Sequence, residues 1–245
     1  MRKRLFLTVA FLFLVCGSVK ADYPSTILAD APIAYYRLGE AAGVIAADSS
    51  GSGLGGLYFG GFTHAVPGAI VGDADTAVAF DGATSHVRAL SPTGLSDDFS
   101  VELWVQTTVD SLNGTQTYQG TGLVWSDVGG TADDWIVGYL NNAASFFTGR
   151  PDTSINGFTP LNDGNWHHIV ATRALGGDKN LYVYGFLEAN GTTSANRLAS
   201  NPVIEIGGNT LDRRYFAGNI DEVAIYPTAL TPDRVLAHYK AGTGQ

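Results

Sequence analysis

Apolar and polar residues alternate two by two through much of this chain, and glycine interrupts the alternation at short intervals. The run DFSVELWVQT (Asp98–Thr107) shows it best. Phe99, Val101, Leu103 and Val105 fall on one face of an extended strand, and Ser100, Glu102, Trp104 and Gln106 on the other. The first set is expected to face a core. Near the C-terminus, Ile220, Val223, Ile225 and Tyr226 predict a strand that Pro227 ends. A helix follows. Thr231 suits its N-cap, Pro232 its first position and Asp233 its positive end, and Gly242 is expected to stop it about three turns on. Val235, Leu236 and Tyr239 give that helix an apolar side.

The polar stretch Asp110–Thr121 reads as a long surface loop, and Ala143–Pro160 holds one strand around Ser145–Thr148. Asn113-Gly114-Thr115 and Asn190-Gly191-Thr192 match a glycosylation triplet in predicted loops, and they read equally as Asn-Gly turns. Strand-like runs between glycine clusters predict an all-β protein, a two-sheet antiparallel β-sandwich with a short C-terminal helix.

The segment GNIDEVAIYPTALTPDRVLAHYKAG (Gly218–Gly242) resembles the C-terminal signature of the laminin-G-like, concanavalin A-like jelly-roll domains of bacterial secreted proteins. AYYRLGE (Ala34–Glu40), DSSGSGLGG (Asp48–Gly56), TAVAFDGATSHV (Thr76–Val87), DFSVELWVQT, LNDGNWHHIVATR (Leu161–Arg173) and LYVYGFL (Leu181–Leu187) are similar to earlier strands and turns of that family, in its order. The resemblance runs from about Ile27 to Gly242 and implies a jelly roll. It leaves the function open, because this fold carries lectins, glucanases and lyases alike.

Residues 1–21 read as a secretion leader: Arg2, Lys3 and Arg4 precede the short apolar run Leu5–Val15, and Val19-Lys20-Ala21 offers a cleavage site. Val15 weighs against lipidation of Cys16. The expected location is therefore extracellular or periplasmic, with residues 22–245 as one jelly-roll domain and no membrane insertion. The net charge is −9, and losing the leader's four basic residues and no acidic ones takes it to −13. Such a chain is a poor partner for nucleic acid or an anionic membrane. The only cysteine lies in the leader, which excludes disulfides and thiolate chemistry in the mature protein.

Three groups of residues carry candidate chemistry. By the family resemblance, a structural calcium would take a carboxylate from Asp221, a carbonyl or carboxylate from the turn Asp81-Gly82, and less directly Asp48. Alternatively, Asp221 satisfies backbone N–H groups at a strand entrance. A glycan platform would stack sugar on Trp104 beside Glu102 and Gln106, extended by Trp125, Trp135, Tyr139 and Arg150; Trp135, next to Asp133-Asp134, is the better placed for exposure. Against that, Trp104 would pack beneath a loop or the terminal helix. The pair His167-His168 points to opposite strand faces and reads as hydrogen-bonded core. Tyr184 stands where many relatives carry Asp.

The five glutamates outside the leader, Glu40, Glu102, Glu188, Glu205 and Glu222, are scattered, and no Glu-x-Asp-x-Glu string pairs two of them on a strand. A glycosidase is disfavoured; a lyase built from Tyr, His and Arg stays open. The leading expectation is a secreted, non-catalytic module binding carbohydrate or a cell-surface glycoconjugate. The alternative is a structural or adhesive subunit that pairs with copies of itself through the weakly charged segments IVGYLNNAASFF or PVIEIGG.

Overall fold

A computed structural model describes residues 22–126, 134–193, 195–198 and 202–245, so the expected leader lies outside the described residues. Two antiparallel sheets of eight strands pack face to face. The first holds β1 (Ala34–Tyr36), β4 (Thr63–Pro67), β5 (Thr76–Asp81), β7 (Phe99–Gln106), β12 (Trp166–Arg173), β13 (Asp178–Val183), β14 (Phe186–Thr192) and β18 (Ala217–Tyr226). Its order is β14-β13-β12-β7-β18-β5-β4, with β1 also on β18. The second holds β2 (Ile45–Ala46), β3 (Gly56–Phe59), β6 (His86–Leu90), β8 (Thr121–Ser126), β9 (Trp135–Leu140), β10 (Ala143–Thr148), β11 (Thr153–Asn156) and β15 (Val203–Ile206), ordered β11-β10-β9-β8-β15-β6-β3-β2. A hairpin of β16 (Gly208–Asn209) and β17 (Arg214–Tyr215), with helices α1 (Tyr23–Leu28) and α2 (Pro232–Gly242), completes the described chain. This is the all-β sandwich with a short C-terminal helix that the alternation predicts.

Between the sheets, Phe99, Val101, Leu103 and Val105 of β7 meet Ile169 and Ala171 of β12, Ile220 and Ile225 of β18, and Val137, Phe146, Ile204 and Ile206 of the second sheet. Each such side chain contributes about 1.5–3 kcal/mol on burial. The other face of β7 is buried as well. Trp104 with Val170, Tyr182 and Tyr226 lies under Tyr23 and Ile27 of α1 and Val235 of α2. The local sequence builds both covers. Asp22 Oδ1 accepts from Ser25 N at 2.9 Å ahead of Pro24, and Thr231 caps Arg234 N with Pro232 behind it. Gly242 does not stop α2; it is the last helical residue, followed by the cap Thr243. Its lack of a side chain has another cause, since a Cβ there would meet Trp104 Cζ2 at 2.5 Å.

The segments offered above as free edges are interior. IVGYLNNAASFF forms β9 and β10, joined by Asn141 and Asn142 at φ 53° and 60°, a two-residue turn matched to strand twist. PVIEIGG contains β15, seated between β8 and β6. The sheet edges are β14, β4, β11 and β2. Asn190 sits on the edge strand β14 rather than in a loop, whereas Asn113 is in a loop as expected. That loop closes with a 3-10 turn, Thr117–Gln119, before β8 begins.

One irregularity interrupts β18. Asp221 lies opposite Trp104 and Ala224 opposite Glu102, so β18 carries one extra residue there, and Glu222 takes φ 53°. This bulge re-aims the Glu222 carboxylate toward β1.

Candidate functional site

Strand register lines up one transverse row on the outer face of the second sheet. Leu57 pairs with Arg88, Arg88 with Glu205, Glu205 with Trp125, Trp125 with Ile136, and Ile136 with Phe147. Their strand neighbours Val87, Ala89, Ile204 and Ile206 point the other way, into the core. Polar and aromatic residues of three strands therefore meet at the middle of this face.

Past β15 the chain turns at Gly207 (φ 79°), where a Cβ would meet the Phe80 ring at 2.5 Å, and the β16–β17 hairpin folds back over the row. Glu205 ties the hairpin down. Its Oε2 accepts from Thr210 N at 2.8 Å, and its Oε1 accepts from Thr210 Oγ1 at 2.7 Å and from Arg88 Nε and Nη2 at 3.0 and 2.5 Å. Asn209 Oδ1 holds the hairpin tip by accepting from Leu211 N at 2.7 Å. Between hairpin and sheet is an open cavity of about 450 Å³, walled by Arg88, Val203, Glu205, Thr210, Leu211 and Arg213, with Trp125 as its floor. Trp125 is only 2% exposed, and its indole N–H has no acceptor among the described residues. Leu211, 59% exposed, forms an apolar lip.

Of the proposed glycan platform, only Trp125 reaches this cavity. Trp104 is covered by α1 and α2, stacking on Tyr239 at 6.2 Å and donating its N–H to Tyr23 Oη at 3.0 Å. Glu102 beside it is fully buried. It accepts from Tyr23 Oη and His168 Nε2 on one oxygen, at 2.9 and 2.8 Å, and from Tyr226 Oη and His238 Nδ1 on the other, at 2.9 and 2.7 Å. Burial raises its pKa, but the His238 and His168 contacts outweigh this and hold the carboxyl far below the usual range. His238 in turn meets Asp30 Oδ2 at 2.6 Å, and Arg234 closes the chain on Asp30. Gln106 is tied to Gly164 O and Asn219. Trp135, the better candidate for exposure, turns inward and packs on Phe99 at 5.2 Å. Tyr139 is also inward, its hydroxyl donating to Val109 O and its pKa pushed up to about 12 by burial. Arg150 is exposed, two residues beyond the end of β10.

The expected calcium ligands do not converge. Ala217, not Asp221, lies opposite Asp81, so four strand residues separate the two carboxylates, roughly 13 Å. The Asp81 carboxylate is filled by its own turn, accepting from the N–H groups of Ala83, Thr84 and Ser85, while Gly82 (φ 70°) packs against Ala217. Asp48 accepts from the N–H groups of Tyr35, Ser50 and Leu54. Asp221 accepts from Ala69 N at 2.7 Å; its Oδ1 is buried without a partner, and burial beside Glu222 raises its pKa well above the usual range. The neighbouring carboxylates Asp73, Asp75 and Glu222 already surround a cation, the Arg37 guanidinium. Among the described residues no group of three His, Cys, Asp or Glu side chains is arranged to hold a metal.

His167 and His168 do point to opposite faces. His168 serves Glu102, and His167 links Asp163 (2.9 Å) to Tyr184 Oη (2.5 Å). Burial and the Asp163 charge push Tyr184 up to about 12, far from a base poised near neutrality. In the sequence Glu205 figures only among the scattered glutamates, and Arg88 and the hairpin carry no assigned role. Only the alternation in HVRAL and VIEI, each with one charged residue among apolar ones, signalled them.

A family model described as the concanavalin A-like lectin/glucanases superfamily matches residues 81–236. No curated protein matches the chain in sequence. Among solved structures, the binding domain of botulinum neurotoxin DC in complex with SialylT is similar at TM-score 0.66 and 14% identity, covering 87% of this chain and 52% of that one. The same domain in complex with rat synaptotagmin II aligns at TM-score 0.67 and 13% identity, over 86% and 52%. A botulinum neurotoxin type C structure, whose cell entry is described as dependent upon interaction with two ganglioside molecules, aligns at TM-score 0.66 and 13% identity, over 89% and 52%. The chain spans about half the length of these domains, and at such identities the likeness is one of fold.

Proposed function

The chain belongs to the concanavalin A-like lectin/glucanase superfamily, and from that premise we propose that it is a secreted, non-catalytic module that binds carbohydrate or a glycoconjugate in the cavity under the β16–β17 hairpin. The carrying observation is the cavity itself: an open space of about 450 Å³ closed below by the buried Trp125, where Arg88, fixed by Glu205, stands beside the exposed apolar side chain of Leu211. Sugars are bound in this way, by apolar surface together with a few placed polar groups. The described neighbours whose partners are SialylT and gangliosides support the same class of ligand.

The state of the five glutamates supports a non-catalytic role. Glu40 holds Tyr58 Oη and Ala47 N, and Glu102 sits in its buried network. Glu188 holds Thr159 and Phe158 N, Glu205 holds Arg88 and Thr210, and Glu222 holds Arg37 and Tyr35. Of the five only Glu205 lines the cavity, so the cavity holds no pair of glutamates to share the acid and base roles.

The test is a glycan array probed with the purified protein and with Val203→Trp. That substitution fills the cavity from β15 without touching a charged group. Saturable binding by the wild type that is lost in the variant is the expected result. A silent array, or binding indifferent to Val203→Trp, removes the reading.

A further inference from the structure

Charge is distributed unevenly between the whole molecule and this cavity. The chain carries a net −9, yet the cavity walls hold two guanidinium groups, Arg88 and Arg213, and one carboxylate. That carboxylate, Glu205, already accepts four hydrogen bonds from Arg88 and Thr210. Arg88 uses Nε and Nη2 on Glu205, and Nη2 also meets Thr210 Oγ1 at 2.8 Å, which leaves Nη1 free. Arg213 is exposed on the hairpin, held at φ 56°, and makes no ion pair or hydrogen bond among the described residues. Its neighbour Asp212 turns toward Asn209, at 3.5 Å from Nδ2. Two guanidinium groups with unused donors therefore face one space, against a molecule that repels anions elsewhere.

We propose that the ligand of this cavity is an anionic saccharide, a sugar ring bearing a carboxylate or sulfate group that Arg213 and Arg88 Nη1 bind together. This rests on the carbohydrate reading above and names its chemical class. Guanidinium groups bind planar or tetrahedral oxyanions through paired N–H donors, and such charge-assisted bonds are about twice as strong as neutral ones. A neutral sugar would leave Arg213 with only water for a partner. The fixed Arg88–Glu205 pair keeps one donor edge pre-aimed, and the free Arg213 supplies the unmatched charge. The local positive potential also draws an anion inward from solvent.

The experiment is a calorimetric titration of the purified protein with three matched ligands: a uronic-acid oligosaccharide, the same oligosaccharide with carboxyls reduced to alcohols, and a sulfated oligosaccharide. An acidic ligand is expected to bind about tenfold or more tighter than the reduced one, since one charge-assisted contact is worth that factor. The advantage should shrink as salt is raised from about 0.05 to 0.5 M. Arg213→Asn, which removes the charge with a residue that tolerates positive φ, should erase it, and Arg213→Lys should keep part of it. Whichever acidic ligand wins tells carboxylate from sulfate. If the reduced oligosaccharide binds equally well and Val203→Trp abolishes both, the carbohydrate reading stands and the anionic assignment is overturned. If nothing binds, both fall.

Discussion

Glu102→Gln is the substitution with the most to lose. The buried carboxylate accepts two hydrogen bonds on each oxygen, from Tyr23 and His168 on one side and Tyr226 and His238 on the other. An amide keeps one accepting oxygen and turns the other into a donor, so two of the four partners face N–H instead. It also removes the negative charge that raises the His238 pKa above its ordinary 6.5, after the opposing effect of burial. Breaking one side of a buried charged pair costs about 3–5 kcal/mol. For a domain of this size each kcal/mol moves the melting temperature by about 2–4 °C, so a loss on the order of 10 °C is expected. The loss has a pH signature. The stability His238 contributes is complete below its unfolded value of 6.5 and fades as pH rises through the higher folded one. The wild type should therefore shed part of its advantage over Glu102→Gln above pH 6.5. Thermal melts across pH 5–9, followed by tryptophan fluorescence, measure both. A variant melting within a degree or two of wild type, with a parallel pH profile, would refute the account.

Two other outcomes follow from the same kind of reading. Lys179 is buried between the sheets, where its ammonium donates to Thr148 and Thr153 and lies over the Phe146 ring, and burial, then the Arg173 charge, pushes it down to about 8. Its protonated form opposes folding, so Lys179→Met should be more stable than wild type at pH 7, by on the order of 1–3 kcal/mol. That gap should close between pH 8 and 10.5, and denaturant melts showing a constant gap would contradict it. Because the expected calcium ligands do not converge, excess EDTA should leave the melting temperature unchanged, and Asp221→Asn should fold as well as wild type. A calcium-dependent rise abolished by that variant would reverse the conclusion.

The sequence showed much of the fold and little of the site, for physical reasons. The inward face of β7 and the capped helix α2 are local patterns, and local patterns survive in a string. What covers the outer face of β7 is not local. Trp104 meets Tyr23 across 81 residues, and nothing in DFSVELWVQT distinguishes a face under two helices from one in water. The signal for α1 was present in Asp22 and Pro24, but it lay against the predicted cleavage site. Trp135 follows two acidic residues, which made it a better candidate for exposure than Trp104, yet the strand phase of β9 turns it inward. The cavity needs Arg88 and Glu205, 117 residues apart, brought to one register and closed by the hairpin. The extra residue in β18 likewise changed what Glu222 could reach.

The two helices also set how the molecule can be held. Asp22 and Gly244 border the same small depression, on the face of the sandwich opposite the hairpin cavity, and Asp30 is bound from α2 by both Arg234 and His238. A surface that grips the α1–α2 face would lie behind the first sheet, leaving the cavity facing outward. Molecules held side by side on one surface by this face would each present an unobstructed mouth. Such spacing lets several weak sites act on one multivalent target, where effective concentration rather than single-site affinity governs retention.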